Sequence, residues 1–439
     1  MKKNLLPFLL IFITLLSCNK KSDSPEVLPD TGNSRTKFKD TLVTNTSANT
    51  NEIFASYIPL TNNLVVVQQI SGSQYKLYTC DAEIKSLRSA TINLGPDKLI
   101  EIEASKKEDA FFTLTATNNF QAKNPVFINA YVIQNPYLDS TSNCIPKIIN
   151  YAYDPAFNLT PETNGNNYST LNKFYKNGTI AWSKQLDGNY FDGRAIETDQ
   201  NGNVFVLTSS RFPLTPKLNS TFSNTLVPYY DLVNDSNRIS IYKFDRYGNQ
   251  LFKKTIQNVK EISSFGFNPS LNLSDNYLTV TNTNNLYVFD VYGNLYSQSK
   301  PVINSCYSYV SAAISNPLIK QTYIIGTINY NQSTNFLNYM SVTNNGSTHS
   351  TISQSANLNT KFIVADNVGN VYMTQLVTDL RKMDRNGNLV INKGLIDGAT
   401  SFGMSKRSSL VDKNNSLYVF RNDITQILVY KFDDKGNYD

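Results

Sequence analysis

A chain of 439 residues is long enough for two or three ordinary domains, and a composition of 40% hydrophobic, 12% aromatic and 17% charged residues is that of a folded protein, not a disordered one. The only histidine, His349, sits in a turn-like Asn-Gly-Ser-Thr-His stretch and gives no basis for a Ser-His-Asp triad, a two-histidine zinc site or a histidine-dependent lyase. The net charge of +6 falls to about +4 when Lys2 and Lys3 are removed, and no Lys/Arg cluster forms a stripe, so nucleic acid is not an expected partner.

Residues 1–18 read as a targeting segment. Lys2 and Lys3 form a basic start, Leu5–Leu16 a short apolar run, and Leu15-Leu16-Ser17-Cys18 resembles a bacterial lipobox. About 12 apolar residues are too few to span a bilayer as a helix. The resemblance implies cleavage before Cys18 and acylation of its thiol, which makes the membrane a partner through the lipid. Asn19, where an Asp would favour inner-membrane retention in that family, points to the outer membrane of a cell envelope. Residues 19–35 are polar and read as a flexible tether. Residues 36–439 are then the folded domain.

Thr36–Asn45 reads as a strand similar to Leu251–Asn258, and the chain ends just after a hairpin turn with no strand left to follow it. The expectation is that Thr36–Thr44 supplies the outer strand of the last structural unit and so ties the fold shut. In between, the chain reads as repeated units at about 50–93, 97–186, 188–257, 258–300, 301–352, 353–394 and 395–439. The second carries an insertion at roughly Asn119–Ser169, and the third one at roughly Ser209–Asn237.

The units rest on two alternating hairpins. One reads ISIYKFDRYGNQLFKKT around Asp245 and returns around Asp290, Asp384 and Asp433, with a degenerate copy, TLNKFYKNGTIAWSKQL. In Tyr242, Phe244 and their neighbours, apolar residues alternate with polar ones, the pattern of a half-buried strand. Asp245 forms an Asx turn, and Gly248 supplies the positive φ that the hairpin needs. The other hairpin reads AIETDQNGNVFVLTSS around Asp199 and returns around Asp366 and Asp412, with weaker copies near Asp109 and Asp275. Asp245 and Asp290 stand 45 residues apart, and Asp384 and Asp433 stand 49, periods that fit one four-stranded unit each.

These repeats resemble bacterial β-propeller repeats of the D-x-N-G-N-V-Y-V and K-F-D-x-x-G-N type, and more loosely quinoprotein propellers, over about residues 50–439. The resemblance implies an all-β single propeller, most simply of seven four-stranded blades, with six or eight as alternatives. Quinone chemistry is not expected, because Trp182 is the only tryptophan and the Trp-rich docking motifs of that family are missing. No cofactor is expected.

Both insertions fall between the second and third strands of neighbouring blades and should emerge side by side. They carry Tyr131, Tyr137, Tyr151, Tyr153 and Phe157, then Phe212, Phe222, Tyr229, Tyr230, Asp231 and Asp235. Aromatics beside acids can stack on sugar rings or anchor a protein; they can equally pack the loops onto the domain. The expected function is therefore a non-catalytic binding or scaffolding lipoprotein with a protein or glycan ligand on this face. The alternative is a glycan-active lyase or hydrolase using channel-mouth carboxylates and tyrosines. Asp199-Gln-Asn-Gly-Asn and Asp384-Arg-Asn-Gly-Asn are faintly like calcium loops but lack the bidentate Glu, and turn formation accounts for the same residues, so no metal is expected. Cys80 and Cys144 are the expected disulfide, with Cys306 left as a free thiol.

Overall fold

The computed structural model describes residues 40–44, 52–71, 74–95, 97–116, 137–138, 144–145, 168–186, 191–210, 217–218, 228–229, 236–260, 269–282, 285–299, 309–316, 321–329, 336–344, 347–354, 362–366, 368–374, 379–384, 389–394, 406–423 and 426–437. Met1–Lys37 and Phe38–Asp439 are separate units, and the second holds every described strand.

Among the described residues there are seven four-stranded antiparallel sheets and two short two-stranded ribbons. Sheet I runs from Ile53–Ile58 outward to Arg88–Asn93, and sheet II from Lys98–Ala104 to Ile180–Gln185. Sheet III runs from Phe191–Thr198 to Gln250–Lys260, sheet IV from Ser270–Ser274 to Leu295–Ser299, and sheet V from Tyr309–Asn316 to Ser347–Gln354. Sheet VI runs from Phe362–Ala365 to Leu389–Gly394. Sheet VII is built from Ser409–Val411, Leu417–Asp423 and Gln426–Phe432, and its outer strand is Asp40–Thr44 from the other end of the chain.

The first strands of successive sheets touch one another in sequence order, and that of sheet VII touches that of sheet I. The sheets therefore stand around a common axis like blades, and the fold is an all-β propeller. Apolar clusters fill the gaps between neighbours. Phe54, Val65 and Leu77 of sheet I meet Leu99, Ile102 and Phe111 of sheet II, while Tyr57, Leu64 and Cys80 of sheet I meet Tyr418, Phe420 and Val429 of sheet VII. The third strands are consequently covered on both faces: Ile239 to Phe244 is buried throughout, where alternation had suggested a half-buried strand. The outer strands are the most open to solvent, as in Leu295–Ser299, exposed along its whole length.

Asp40–Thr44 pairs antiparallel with Gln426–Phe432, Asp40 opposite Val429 and Thr44 opposite Gln426, with a bulge between Thr41 and Val43. The closing strand is as expected over Asp40–Thr44, Thr36–Lys39 lying outside the described residues, and it covers an edge that would otherwise present unpaired backbone groups. Removing residues 1–45 is expected to lower the melting temperature by about 5 °C or more. An unchanged melting curve would show that the last sheet is stable with three strands.

Candidate functional site

Each sheet has two ends. The connections from first to second strand and from third to outer strand lie at one end, here called the turn face. The second-to-third connections, and the links between sheets, lie at the other.

The turn face is built from one device used repeatedly. Asp245 Oδ1 accepts the backbone N–H of Tyr247 and Asn249 at 2.9 and 2.8 Å, and its Oδ2 accepts Asn249 Nδ2 at 2.8 Å. Asp199, Asp290, Asp366 and Asp433 hold their turns with the same three bonds, and the Asn four residues on closes each. Asp81 and Asp412 use the backbone pair alone, with Lys85 and Ser416 in the place of the Asn. Burial raises the Asp245 carboxyl, but the bonds from Asn249, Tyr247 and Gly248 outweigh it and hold it below its ordinary 3.8.

Beneath these turns lie lysines that sequence reasoning missed. Lys243, with 8% of its side chain exposed, has its ammonium 3.6 Å from Asp199 Oδ2 and 4.8 Å from the centre of the Phe205 ring, and donates at 2.8 Å to the carbonyl of Val291 in the next sheet. Lys382 repeats this with Asp366 at 3.3 Å, the Tyr372 ring at 4.6 Å and the Asp434 carbonyl of sheet VII at 2.9 Å. Lys173 uses Glu108, the Phe112 ring at 5.8 Å and the Arg246 carbonyl of sheet III at 2.8 Å. Between sheets VII and I, the Tyr418 hydroxyl lies 3.2 Å from Asp412 Oδ2 and 2.8 Å from the Ala82 carbonyl, with the Lys431 ammonium 5.8 Å above its ring. The available signal was the Lys-Phe-Asp or Lys-Met-Asp tripeptide itself, with a lysine between two inward-facing apolar positions. An ammonium already faces Asp199, so its loop is a structural turn, and among the described residues no three His, Cys, Asp or Glu side chains converge to hold a metal.

The opposite face carries the two insertions. The first leaves Ala110–Ala116 and returns at Ser169, which pairs with Ala116; the second leaves Val204–Ser210 and returns at Ser236, with Ser210 opposite Arg238. Their roots lie on adjacent sheets whose first strands are in contact. Ser209 and Asn237, expected to bound the second insertion, are strand residues of sheet III. Within the insertions, Tyr137 lies on a ribbon pairing Tyr137 with Ile145 and Leu138 with Cys144, and Tyr229 lies on one pairing Tyr229 with Lys217. Tyr131, Tyr151, Tyr153, Phe157, Phe212, Phe222, Tyr230, Asp231 and Asp235 lie outside the described residues, as do Cys18 and Cys306. His349 is on a strand opposite Val342, not in a turn.

Below the first insertion, Asp97 is buried and accepts from the hydroxyls of Thr115 and Thr170 at 3.2 and 3.5 Å. Beside it, buried Tyr75 accepts the Leu99 N–H at 2.9 Å, and burial raises its phenol above the usual 10.0. Near the axis, Glu101 accepts the Ile196 N–H of the neighbouring sheet at 2.9 Å, and Ser56 donates to Glu103 at 3.4 Å. These channel-side carboxylates are thus tied to backbone or hydroxyl donors and act as braces between strands. A shallow groove of about 350 Å³ opens on the outer rim between sheets II and III, lined by Lys184, Gln185, Phe244, Asn249 and Gln250 among others.

Cys80 is a free thiol rather than half of a disulfide, and it is buried among Tyr57, Leu64, Tyr418 and Val429. The side of its strand that it occupies faces sheet VII and not solvent. Burial pushes its thiol from 9.0 up to about 12, with Asp81 adding to the effect.

No known protein family and no curated protein matches the sequence. Solved structures similar to the chain include Saccharomyces cerevisiae Sqt1, at 10% identity and a TM-score of 0.41, covering 89% of this chain and 99% of that one. A Pyrococcus horikoshii acylaminoacyl peptidase is similar at 10% identity and 0.43, covering 88% of this chain and 51% of that one. A protein of unknown function from Bacteroides caccae is similar at 9% and 0.35, covering 73% and 89%.

Two outcomes follow from the buried groups. Lys382→Met leaves Asp366 without its cation and is expected to cost about 3–5 kcal/mol in a denaturation curve, whereas Lys98→Met, which breaks the exposed pair with Glu52, costs about 1 kcal/mol or less. Similar losses for both would show that the buried ammonium is not a clamp. For Cys80, the unfolded chain loses its proton near 9.0 while the folded chain keeps it to about 12, so this contribution is complete below 9 and is lost as pH rises through 12. Native protein at pH 8 should leave Cys80 unmodified by iodoacetamide, with full reaction only after unfolding. A Cys80 recovered as a disulfide in a non-reducing peptide map would refute the assignment.

Proposed function

We propose that the chain is a cell-envelope lipoprotein, acylated at Cys18 and held at the outer membrane, in which a seven-bladed propeller serves as a non-catalytic binding or scaffolding module. The site is the insertion face of sheets II and III, and the ligand is a protein or a glycan. The observation that carries this reading is the common root of the two insertions. Both interrupt second-to-third connections of adjacent sheets on one face, while the other face is occupied by a repeated structural device. A rigid scaffold carrying two long neighbouring loops rich in tyrosine fits recognition. The engagement of Asp97, Glu101 and Glu103 by neighbouring donors favours binding over carboxylate catalysis.

The test compares native protein with a variant lacking residues 211–235, a deletion that spares the strands of sheet III. Both are crosslinked in intact envelopes and screened on glycan arrays. The expected result is a specific ligand captured by the native protein and lost by the variant at unchanged melting temperature. Turnover of an envelope or dietary polysaccharide by the native protein would overturn the non-catalytic reading.

A further inference from the structure

The turn face carries a group of exposed large apolar residues. Leu60 and Val368 lie in first-to-second turns, and Leu87, Tyr247 and Tyr292 in third-to-outer turns. Tyr175 ends a third strand, and Ile180, Leu251, Leu295, Tyr296, Leu389 and Val390 open outer strands within two residues of the same turns. These twelve exposed large hydrophobics lie at or beside the turns of this face. Contacts run along that face from sheet to sheet: Thr61 Oγ1 donates to Asp109 at 2.9 Å, Lys243 to Val291 at 2.8 Å, and Lys382 to Asp434 at 2.9 Å. The densest part spans sheets II to IV, where Tyr292 is 75% exposed, Tyr247 64% and Tyr296 60%. Exposed Lys107 lies in the first turn of sheet II, and exposed Lys85, Lys413 and Lys435 lie in turns of sheets I and VII on the same face.

The closing strand enters on this face. It runs antiparallel to Gln426–Phe432, so its start points toward Phe432 and the turn that follows, and its end points toward the insertion face. Cys18 precedes Asp40 by 22 residues, and a random coil of that length would span about 25 Å. A lipid at Cys18 would hold the turn face close to a bilayer at high effective concentration, where even weak contacts are occupied. Tyrosine, with an apolar ring and a polar tip, and lysine, with an apolar stem, are the side chains suited to the headgroup layer.

We infer that the turn face of sheets II to IV is a membrane-docking surface that rests on the bilayer carrying the lipid anchor and turns the insertion face outward. The inference depends on the lipoprotein reading, and the test separates the two. Full-length protein is placed on phospholipid vesicles with and without brominated acyl chains, and tryptophan quenching is read against the wild-type signal of Trp182. Tyr292→Trp probes the turn face; Lys98→Trp, 43% exposed at the opposite end of sheet II, is the control. The expected result is that the signal added at position 292 falls at least about twofold and that at position 98 does not. Mass analysis of the N-terminal peptide decides the anchor independently. An acylated protein with no quenching at 292, or with equal quenching at both positions, overturns the docking surface, leaves the anchor standing and assigns the rim to a protein partner. If the peptide is not acylated, the anchor reading falls, and vesicle co-sedimentation of the unlipidated chain decides the rim, with absence of binding overturning it.

Discussion

The fold depends on a cation buried between blades. A lysine on the third strand of a sheet reaches back under the first turn of its own sheet, lies over an aromatic ring of the second strand, and donates a hydrogen bond to a carbonyl in the third turn of the next sheet. In Lys243 the carboxylate, ring and carbonyl are at 3.6, 4.8 and 2.8 Å. Each contact answers a cost. Burying an ammonium is expensive unless it is paired and hydrogen-bonded, and here the carboxylate supplies the charge, the carbonyl the acceptor and the ring face a further attraction. Because the carbonyl belongs to the neighbouring sheet, satisfying the charge also fixes the spacing of the two sheets. Apolar clusters between the same sheets supply most of the attraction but no direction. The clamp supplies the direction.

The Asp at the other end of the clamp does two things at once. One oxygen of Asp199 closes the turn by accepting Asn201 and Asn203 N–H, and the other accepts Asn203 Nδ2 and faces Lys243. The turn glycines complete the fit. Gly248 has a φ of +87°, and a Cβ there would come within 3.1 Å of Trp182 in the preceding sheet, while one at Gly436 would come within 2.7 Å of Ile391. Backbone strain and lack of room act together at these positions, so the D-x-x-G-N motif is a packing motif between blades as much as a turn motif. The clamp also takes another form, with the Lys431 ammonium 5.8 Å above the Tyr418 ring. At the closure of the ring, the Tyr418 hydroxyl stands between Asp412 and Ala82.

This division explains what the sequence could reveal. The turns were legible because an Asp, a Gly and an Asn at fixed spacing leave few conformations open, and their recurrence every 45 to 49 residues gave the unit length. The closing strand was legible because Thr36–Asn45 is similar to the outer-strand stretch Leu251–Asn258. Burial was not. Lys243 and Lys382 look like the solvent-facing members of an alternating strand, and only the presence of a second sheet on that side makes them interior. Cys80 failed in a similar way. Its strand position was clear, but which neighbour covered it depended on sheet VII, whose contact with sheet I joins residues more than three hundred positions apart. A binding face built from irregular loops offers no periodicity to read, so residues such as Tyr151 or Asp231 could be proposed only by type and location.

The two faces of the ring are also unequal in what they can tolerate. A residue added to a first or third turn would displace the Asp, the Gly or the carbonyl that the adjacent sheet uses, so its cost would be felt across two blades. A second-to-third connection leaves its sheet at the end opposite these groups. Lengthening it costs only loop-closure entropy, which grows with the logarithm of length, so each doubling adds about 0.6 kcal/mol. Long insertions are therefore cheap on one face and disruptive on the other. Both insertions here lie on the cheap face, with strand pairing intact at Ser169 opposite Ala116 and Ser210 opposite Arg238. The same clamps that make the turn face regular make it a fixed platform, and they leave the opposite face as the place where new recognition surface can be added without loosening the ring.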